Sequence, residues 1–125
     1  MEIIATICSK SKRDDNGLLP AMARYTGAHI EESFRVARDR GLAFFILSGK
    51  YGLISSTSEI PYYDKYLEMK DTRELAKTVK DQILDSKIST VHFFIEEDPR
   101  WVPYIETIKE ACDLARAQLS IERLS

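Results

Sequence analysis

Three short apolar runs stand out along this chain, at residues 2–8, 42–48 and 89–95. Each run is nearly continuous, is rich in β-branched or aromatic residues, and ends abruptly in polar residues. Runs of that length fit strands that are buried on both faces of a sheet. The pattern therefore predicts three central strands.

Apolar residues also recur at the spacing of an amphipathic helix between and after these runs. The first such segment covers about 28–40 and meets Gly41, a typical stop at a helix C-terminus. The second covers about 72–85, with a capping residue at 71 or 72. The third covers about 99–116 and begins with Pro99, which suits the first turn of a helix.

Strands that alternate with helices indicate a parallel sheet with right-handed crossovers. We therefore predict an α/β fold, in which a mainly parallel central sheet with helices on both faces forms a single three-layer domain over residues 1–125. Residues 53–60 are ambiguous and could add a short strand. A chain of 125 residues has the usual size of one domain with one core.

Composition narrows the class of protein. No apolar run approaches the roughly 20 residues that a membrane span needs, and no secretory signal is recognised, so we expect a cytoplasmic protein without a membrane partner. The formal net charge of −2 argues against non-specific binding to a long polyanion, although a local basic patch stays open. Two cysteines are too few for a disulfide framework or a cysteine-rich metal site, and the two histidines lie far apart in sequence. We therefore expect no metal and no cofactor.

The chemistry of the chain gathers where its first two strands end. Ligands of open parallel sheets bind outside the carboxyl ends of the strands. Residues 8–12 read Cys-Ser-Lys-Ser-Lys and residues 48–52 read Ser-Gly-Lys-Tyr-Gly, so both segments combine hydroxyl groups with lysines. The third run is followed instead by the acidic residues 96–98, which we interpret as a solvated turn. The first two strand ends are therefore the predicted site.

Each candidate segment has a structural alternative. The lysines of residues 8–12 suit an anion and would lower the pKa of Cys8, as a nucleophile requires, but Cys8 could simply be a small buried residue. The glycines of residues 48–52 admit a ligand close to the backbone, or form a tight turn. Aromatic residues within 61–66 could stack a base beside Asp64 as general acid–base, or form a hydrophobic cluster. Residues 25–27 could bind an anion at a helix N-terminus, or merely cap that helix.

We expect three segments to face one shared, electropositive cavity, through Ser9 or Lys12, Ser48 or Lys50, and Tyr63 or Asp64. His29 is interpreted as a helix-start residue, and Trp101 and Tyr104 as packing residues of the last helix. The candidate catalytic residues are Cys8 and Asp64. The candidate substrate-binding residues are Ser9, Lys10, Lys12, Tyr25, Gly27, Ser48, Lys50, Tyr51, Gly52 and Tyr63.

Taken in order, the motifs at residues 8–12, 25–27, 46–54 and 61–64 resemble those of a small bacterial and phage family known as DUF6884. The resemblance covers about the first two thirds of the chain. More distantly, the chain resembles the core domain of archaeosine synthase, which acts on a 7-deazaguanine base in RNA and has been compared with the uracil-DNA glycosylase-like α/β fold. That family carries Ser-x-Ser-His after its first strand, whereas this chain has Arg-Asp-Asp-Asn at 13–16. The chemistry of that histidine is not expected here.

The motifs and the resemblance lead to one hypothesis and one alternative. The hypothesis is an enzyme that acts on a modified nucleobase, nucleoside or nucleotide, such as a modifying transferase or an N-glycosidase-like enzyme. The alternative is a non-catalytic module that senses a nucleotide or binds a partner protein through the same pocket. The expected partner is a small nucleotide-like ligand. A nucleic acid partner and the oligomeric state stay open.

Overall fold

Seven strands and four helices make up the computed structural model, which describes residues 1–124. The strands are β1 (Glu2–Ile7), β2 (Leu19–Pro20), β3 (Ala43–Ser48), β4 (Gly52–Ser55), β5 (Glu59–Ile60), β6 (Thr90–Ile95) and β7 (Gln118–Arg123). The helices are α1 (Ala21–Arg24), α2 (Ala28–Arg40), α3 (Thr72–Asp85) and α4 (Val102–Ala115). Short 3₁₀ turns at Met69–Asp71 and Pro99–Trp101 precede α3 and α4. The predicted strands and helices are thus confirmed within a few residues.

Five strands form the central sheet, in the order β4-β3-β1-β6-β7. Four of them run parallel, and β4 is an antiparallel edge strand. β1 is central, since Ile3 pairs with Ala43 on one side and with Val91 on the other. A strand with neighbours at both edges and layers on both faces must be apolar throughout, which explains the continuous run that the sequence shows there.

The order of the strands determines the layers. The chain moves from β1 to β3 through α2, then returns past β1 to β6 and continues to β7. Right-handed crossovers in opposite directions place α2 on one face of the sheet and the pair α3 and α4 on the other. On the first face, Phe34 of α2 packs against Phe44 of β3, with ring centroids 6.0 Å apart. The predicted α/β fold with helices on both faces is therefore confirmed.

Two regions differ from the predicted pattern. The last helix ends at Ala115, where Arg116 has a left-handed backbone (φ 57°), and the chain then forms β7 along β6. β7 was not predicted, because an edge strand with a partly exposed face carries a weak apolar signal. The ambiguous segment 53–60 contains most of β4 and all of β5, and β5 pairs with β2 in a separate two-stranded ribbon.

Arg24 holds the loop after β1. Its side chain is completely buried, and its guanidinium donates to the backbone carbonyls of Arg13, Asp15, Gly17 and Ile60 at 2.7–3.2 Å. An arginine stays charged in proteins, so burial requires acceptors around it. The loop supplies those acceptors from its own backbone and is fixed against β5 as a result.

Within residues 1–124, no helix combines the length and apolar character needed to cross a membrane.

Candidate functional site

A cavity of about 450 Å³ opens at the carboxyl ends of β1 and β6. Its volume lies within the range of about 300–1,000 Å³ that is usual for small-molecule sites. The strand order reverses between these two strands, because the chain goes from β1 to one side of the sheet and later continues on the other. This is the position at which open α/β sheets bind ligands.

The floor of the cavity consists of its buried lining residues, which are Ile7, Cys8, Ser9, His29, Leu67, Trp101 and Tyr104. The Cys8 thiol, in a side chain that is 7% exposed, donates to the Tyr104 hydroxyl at 3.6 Å. The rings of His29 and Trp101 meet edge to face, with centroids 4.8 Å apart. The floor therefore combines aromatic surface with a thiol, a phenol and an imidazole.

The mouth of the cavity consists of its more exposed lining residues, which are Lys10, Ser11, Lys12, Asp64, Lys65, Tyr66, Glu96, Asp98 and Arg100. Arg100 pairs with Asp98 at 2.5 Å, and its hydrogen bonds lower the pKa of that carboxyl to about 2. The three lysines of the mouth form no ion pair with a carboxylate among residues 1–124. Four cationic side chains face three anionic ones, so the mouth is slightly positive although the chain is acidic.

The hydrogen bond of Nε2 determines the tautomer of His29. This atom lies 2.8 Å from the carbonyl oxygen of Ile7. A carbonyl oxygen can only accept, so Nε2 carries the proton and Nδ1 keeps its lone pair in the neutral ring. Nδ1 has no hydrogen-bond partner among residues 1–124 and is not one of their fully buried unpaired atoms. His29 itself lines the cavity.

Ser9 and Gly27 position this part of the site. The Ser9 hydroxyl donates to the Ser11 carbonyl at 2.6 Å and accepts from the Gly27 amide at 3.2 Å, which ties the β1 loop to the start of α2. A Cβ added at Gly27 would lie 2.7 Å from Cε1 of His29 and 2.9 Å from Cβ of Ser9. Glycine at position 27 therefore leaves the space that the imidazole occupies.

The end of β3 is built differently. The Ser48 hydroxyl accepts from the amides of Lys50 and Tyr51 at 3.1 and 3.0 Å, and it bonds the Tyr63 hydroxyl at 2.9 Å. The Tyr63 hydroxyl also bonds that of Tyr25. All three hydroxyl-bearing side chains are buried, and none of them lines the cavity. They form a closed hydroxyl network inside the protein.

Burial governs the acidity of this network. It raises the pKa of Tyr25 to about 12, and it also raises the pKa of Tyr63 and of Tyr104. The second cause in each case is the neighbouring Cys8 thiol, whose negative charge in the thiolate form would oppose a phenolate. These phenols are therefore neutral donors and acceptors at physiological pH.

Gly52 has a structural role at the β3 end. Its φ of +78° lies in the left-handed region that favours glycine, and a Cβ there would overlap the side chain of Gln82. That side chain donates to the Tyr51 carbonyl and accepts from the Leu53 amide. The second glycine of the motif thus accommodates α3 rather than a ligand.

The prediction of one shared cavity is correct for two segments and wrong for the third. Residues 8–12 and Asp64 line the cavity together. Tyr25, Gly27, Ser48, Lys50, Tyr51, Gly52 and Tyr63 do not line it. Lys50 still approaches this region, because its ammonium lies 5.7 Å from the Tyr63 ring centroid and that of Lys12 lies 4.8 Å from the same centroid. Residues 48–52 lie outside the cavity because the Ser48 hydroxyl bonds two amides of its own turn and the Tyr63 hydroxyl.

Sequence reasoning missed the contribution of the β6 end and of α2. His29, Trp101 and Tyr104 were interpreted as structural, yet all three are part of the floor. The acidic turn after β6 is also at the mouth, through Glu96 and Asp98. A correct strand order would have indicated these residues. The order reverses between β1 and β6, so the carboxyl end of β6 borders the same crevice as that of β1.

The described residues offer no evident metal site, because residues 1–124 contain no group of three or more His, Cys, Asp or Glu side chains suited to hold an ion. A family model described as a family of unknown function, DUF6884, matches residues 3–120, which confirms the predicted membership. No curated protein and no solved structure matches the chain. The more distant resemblance to archaeosine synthase stays a prediction.

Proposed function

We propose that this chain, which belongs to the DUF6884 family, is an enzyme that acts on a nucleobase, nucleoside or nucleotide bound between β1 and β6. One observation carries the proposal: lysines without carboxylate partners surround the mouth of a cavity whose floor is aromatic and polar. An anionic group at the mouth and a planar ring at the floor would satisfy both parts.

The lysines support an anionic ligand group. Lys10, Lys12 and Lys65 share the mouth with only two carboxylates that are not already paired, those of Asp64 and Glu96. Like charges gathered at one opening repel, and an anion between them would offset that repulsion. A phosphate has the charge and the acceptor oxygens for this role.

The aromatic residues support a planar ligand group. Trp101 and Tyr104 are buried at the floor, while Tyr66 is exposed at the mouth with the Lys10 ammonium 5.8 Å from its ring centroid. Aromatic side chains present flat surfaces on which a nucleobase stacks, with little dependence on the identity of the base. The cavity volume of about 450 Å³ is sufficient for a nucleoside.

Two side chains are the candidates for chemistry. Asp64 places a carboxylate at the mouth, where it could exchange a proton with the ligand. The Cys8 thiol belongs to the floor and, as a thiolate, could attack an electrophilic carbon of the base. In that state the Tyr104 hydroxyl, 3.6 Å from the sulfur, would donate to the thiolate and orient it.

A thermal-shift screen and a subsequent calorimetric titration test the proposal. The four common ribonucleosides, their monophosphates and 7-deazaguanine bases form the panel. A ligand at 100 times its Kd should stabilise the protein by about 2.7 kcal/mol. We expect a monophosphate to bind more tightly than its nucleoside and to lose affinity with added salt. Equal affinities would reject phosphate recognition, and no binding across the panel would reject the proposed ligand class.

A binding module without catalysis is the second candidate, and the state of Cys8 favours it. The thiol is almost buried and is hydrogen-bonded to a phenol, which limits attack on a ligand. The two candidates differ in the response to Asp64→Asn and Cys8→Ser. An enzyme should lose turnover in at least one variant while keeping affinity. A sensor should show no turnover of any bound panel compound.

A further inference from the structure

We propose that His29 is the proton acceptor at the floor of the cavity, with Nδ1 directed to an N–H or O–H group of the ligand. The identity of that ligand rests on the proposed function. The protonation pattern of the imidazole does not, because it depends only on contacts within the protein.

The Ile7 carbonyl determines which ring nitrogen of His29 carries the proton. The Ile7 carbonyl belongs to the last residue of β1, and its oxygen lies 2.8 Å from Nε2 of His29. The oxygen has no proton to give, so it selects the tautomer in which Nε2 donates. The neutral ring then has one basic position, Nδ1.

The ring of His29 has a fixed orientation. His29 is 8% exposed, and its ring contacts Trp101 edge to face at 4.8 Å. On another side, the absence of a Cβ at Gly27 leaves just enough room for Cε1 and Nδ1. Turning the ring over would place a carbon against the Ile7 carbonyl and break its hydrogen bond. The basic nitrogen is therefore preorganised.

The proton moves from the ligand to Nδ1. An N–H or O–H bond of the ligand breaks, its proton forms a bond with the Nδ1 lone pair, and the bonding electrons remain on the ligand nitrogen or oxygen. The resulting imidazolium keeps its Nε2–H bond to the Ile7 carbonyl, whose partial negative charge stabilises the cation. No metal, oxidant or further reactant takes part in this step.

Two floor residues that face the same cavity are poorer acceptors. The Tyr104 hydroxyl already accepts from the Cys8 thiol, and burial raises its pKa, so it holds its proton firmly. The Ser9 hydroxyl is engaged with Ser11 and Gly27. Of these floor groups, His29 alone has a ring nitrogen whose lone pair has no partner in residues 1–124.

Nuclear magnetic resonance of protein labelled with nitrogen-15 in its histidine rings tests the tautomer without any ligand. The chain has two histidines, His29 and His92, so the variant His92→Gln assigns the spectrum. At alkaline pH we expect a protonated Nε2 and an unprotonated Nδ1 for His29. A proton on Nδ1 would overturn the proposal, whatever the protein binds.

Addition of the nucleosides adenosine, guanosine, cytidine and uridine to the labelled protein tests the ligand contact. A nucleoside that raises the melting temperature should shift the Nδ1 resonance of His29 more than its Nε2 resonance. Stabilisation without a change at Nδ1 would overturn the role of His29 and leave the proposed ligand class intact. If no nucleoside stabilises the protein, the proposed ligand class is rejected. The tautomer measured without ligand then still tests the protonation of His29.

Two variants separate proton acceptance from packing. His29→Gln keeps an N–H donor for the Ile7 carbonyl and an acceptor oxygen, but it cannot take a proton. It should fold and bind the stabilising nucleoside within about threefold of the wild type while turnover falls at least about 100-fold. Gly27→Ala retains the imidazole and displaces it, so the response of Nδ1 to the nucleoside should disappear. Unchanged turnover in His29→Gln would overturn the proposal.

Discussion

The carboxyl ends of β1 and β3 are adjacent in the sheet and similar in sequence, yet only the β1 end lines the cavity. Both segments begin with a small residue at the end of a buried strand and both contain serine and lysine. At β3, the Ser48 hydroxyl accepts two backbone amides and bonds Tyr63. At β1, the lysines of the loop have no carboxylate partner in residues 1–124, and the cavity opens beside them.

The difference arises from the path of the chain after each strand. After β3 the chain turns at once into the antiparallel β4, so residues 48–52 form a tight connection whose polar groups satisfy one another. After β1 the chain leaves the sheet for a loop held by Arg24, which leaves the end of the strand uncovered. A polar motif becomes a candidate site when the fold leaves its groups without internal partners.

Ser48→Ala should have the largest effect on stability. It removes the acceptor of the Lys50 and Tyr51 amides and one partner of the Tyr63 hydroxyl. Buried groups left without a partner cost about 1–3 kcal/mol each, and these two amides are partly buried, so we expect the free energy of unfolding to fall by about 2–3 kcal/mol. Urea unfolding measures it.

Ser11→Ala is the matched control at the β1 end. Ser11 lines the exposed mouth, and no hydrogen bond of its side chain is formed within residues 1–124. This variant should change the free energy of unfolding by no more than about 0.5 kcal/mol. Equal losses in the two serine variants would contradict the contrast between the strand ends.

Alkaline pH should lower the free energy of unfolding through the closed hydroxyl network. A tyrosine ionises near pH 10 in the unfolded chain, whereas burial raises the pKa of Tyr25 to about 12. Between these values the unfolded chain has released a proton that the folded protein retains, so stability is complete below pH 10 and falls as the pH rises. The loss from Tyr25 is about 2–3 kcal/mol by pH 12.

Urea unfolding at several pH values between 9 and 12 checks this loss. Tyr25→Phe should reduce the slope, because one of the buried phenols no longer titrates. Tyr62→Phe is the control, since Tyr62 is 51% exposed. A slope that is unchanged in Tyr25→Phe would remove Tyr25 from the explanation.

Gly52→Ala should destabilise the β3 end by about 2 kcal/mol, because it combines backbone strain at φ +78° with overlap against Gln82. Gly17→Ala separates the two causes. Gly17 also has a positive φ, but a Cβ there would meet nothing within 4 Å. Thermal or urea unfolding should therefore show the larger loss for Gly52→Ala, and the difference reports the contact with Gln82.

The variants Lys10→Ala and Lys50→Ala test the contrast between the two strand ends through ligand binding. We expect Lys10→Ala to weaken binding of the preferred nucleoside monophosphate by about tenfold and to reduce its salt dependence. Lys50 does not line the cavity, so Lys50→Ala should change the affinity by less than about twofold. Calorimetric titration at two salt concentrations measures the affinity and its salt dependence for both variants. Similar losses in both variants would place the phosphate near the Tyr63 ring instead.

The periodicity of the sequence was sufficient to predict most of the fold. β1, β3 and β6 are buried on both faces, and such strands must be continuously apolar, which is a strong signal. β7 carries charges within its six residues and has an open edge, so its pattern is weak.

The site was predictable only in part. Residues 8–12 were identified because lysines at a strand end are chemically conspicuous. The contribution of His29 depends on a carbonyl that selects its tautomer, and that of Trp101 on the order of strands in the sheet. Neither relation is visible in local sequence, because each joins residues that are distant along the chain.

The anchorage of the loop by Arg24 has a consequence for how this family can diverge. Arg24 binds backbone carbonyls of Arg13, Asp15 and Gly17, and every amino acid supplies such a carbonyl. Side chains of residues 13–16 can therefore be exchanged without loss of the loop path, provided that its length and the positive φ of Gly17 are kept. Substitutions that keep this arginine can therefore change the exposed side chains of the loop while its backbone stays bound to the guanidinium.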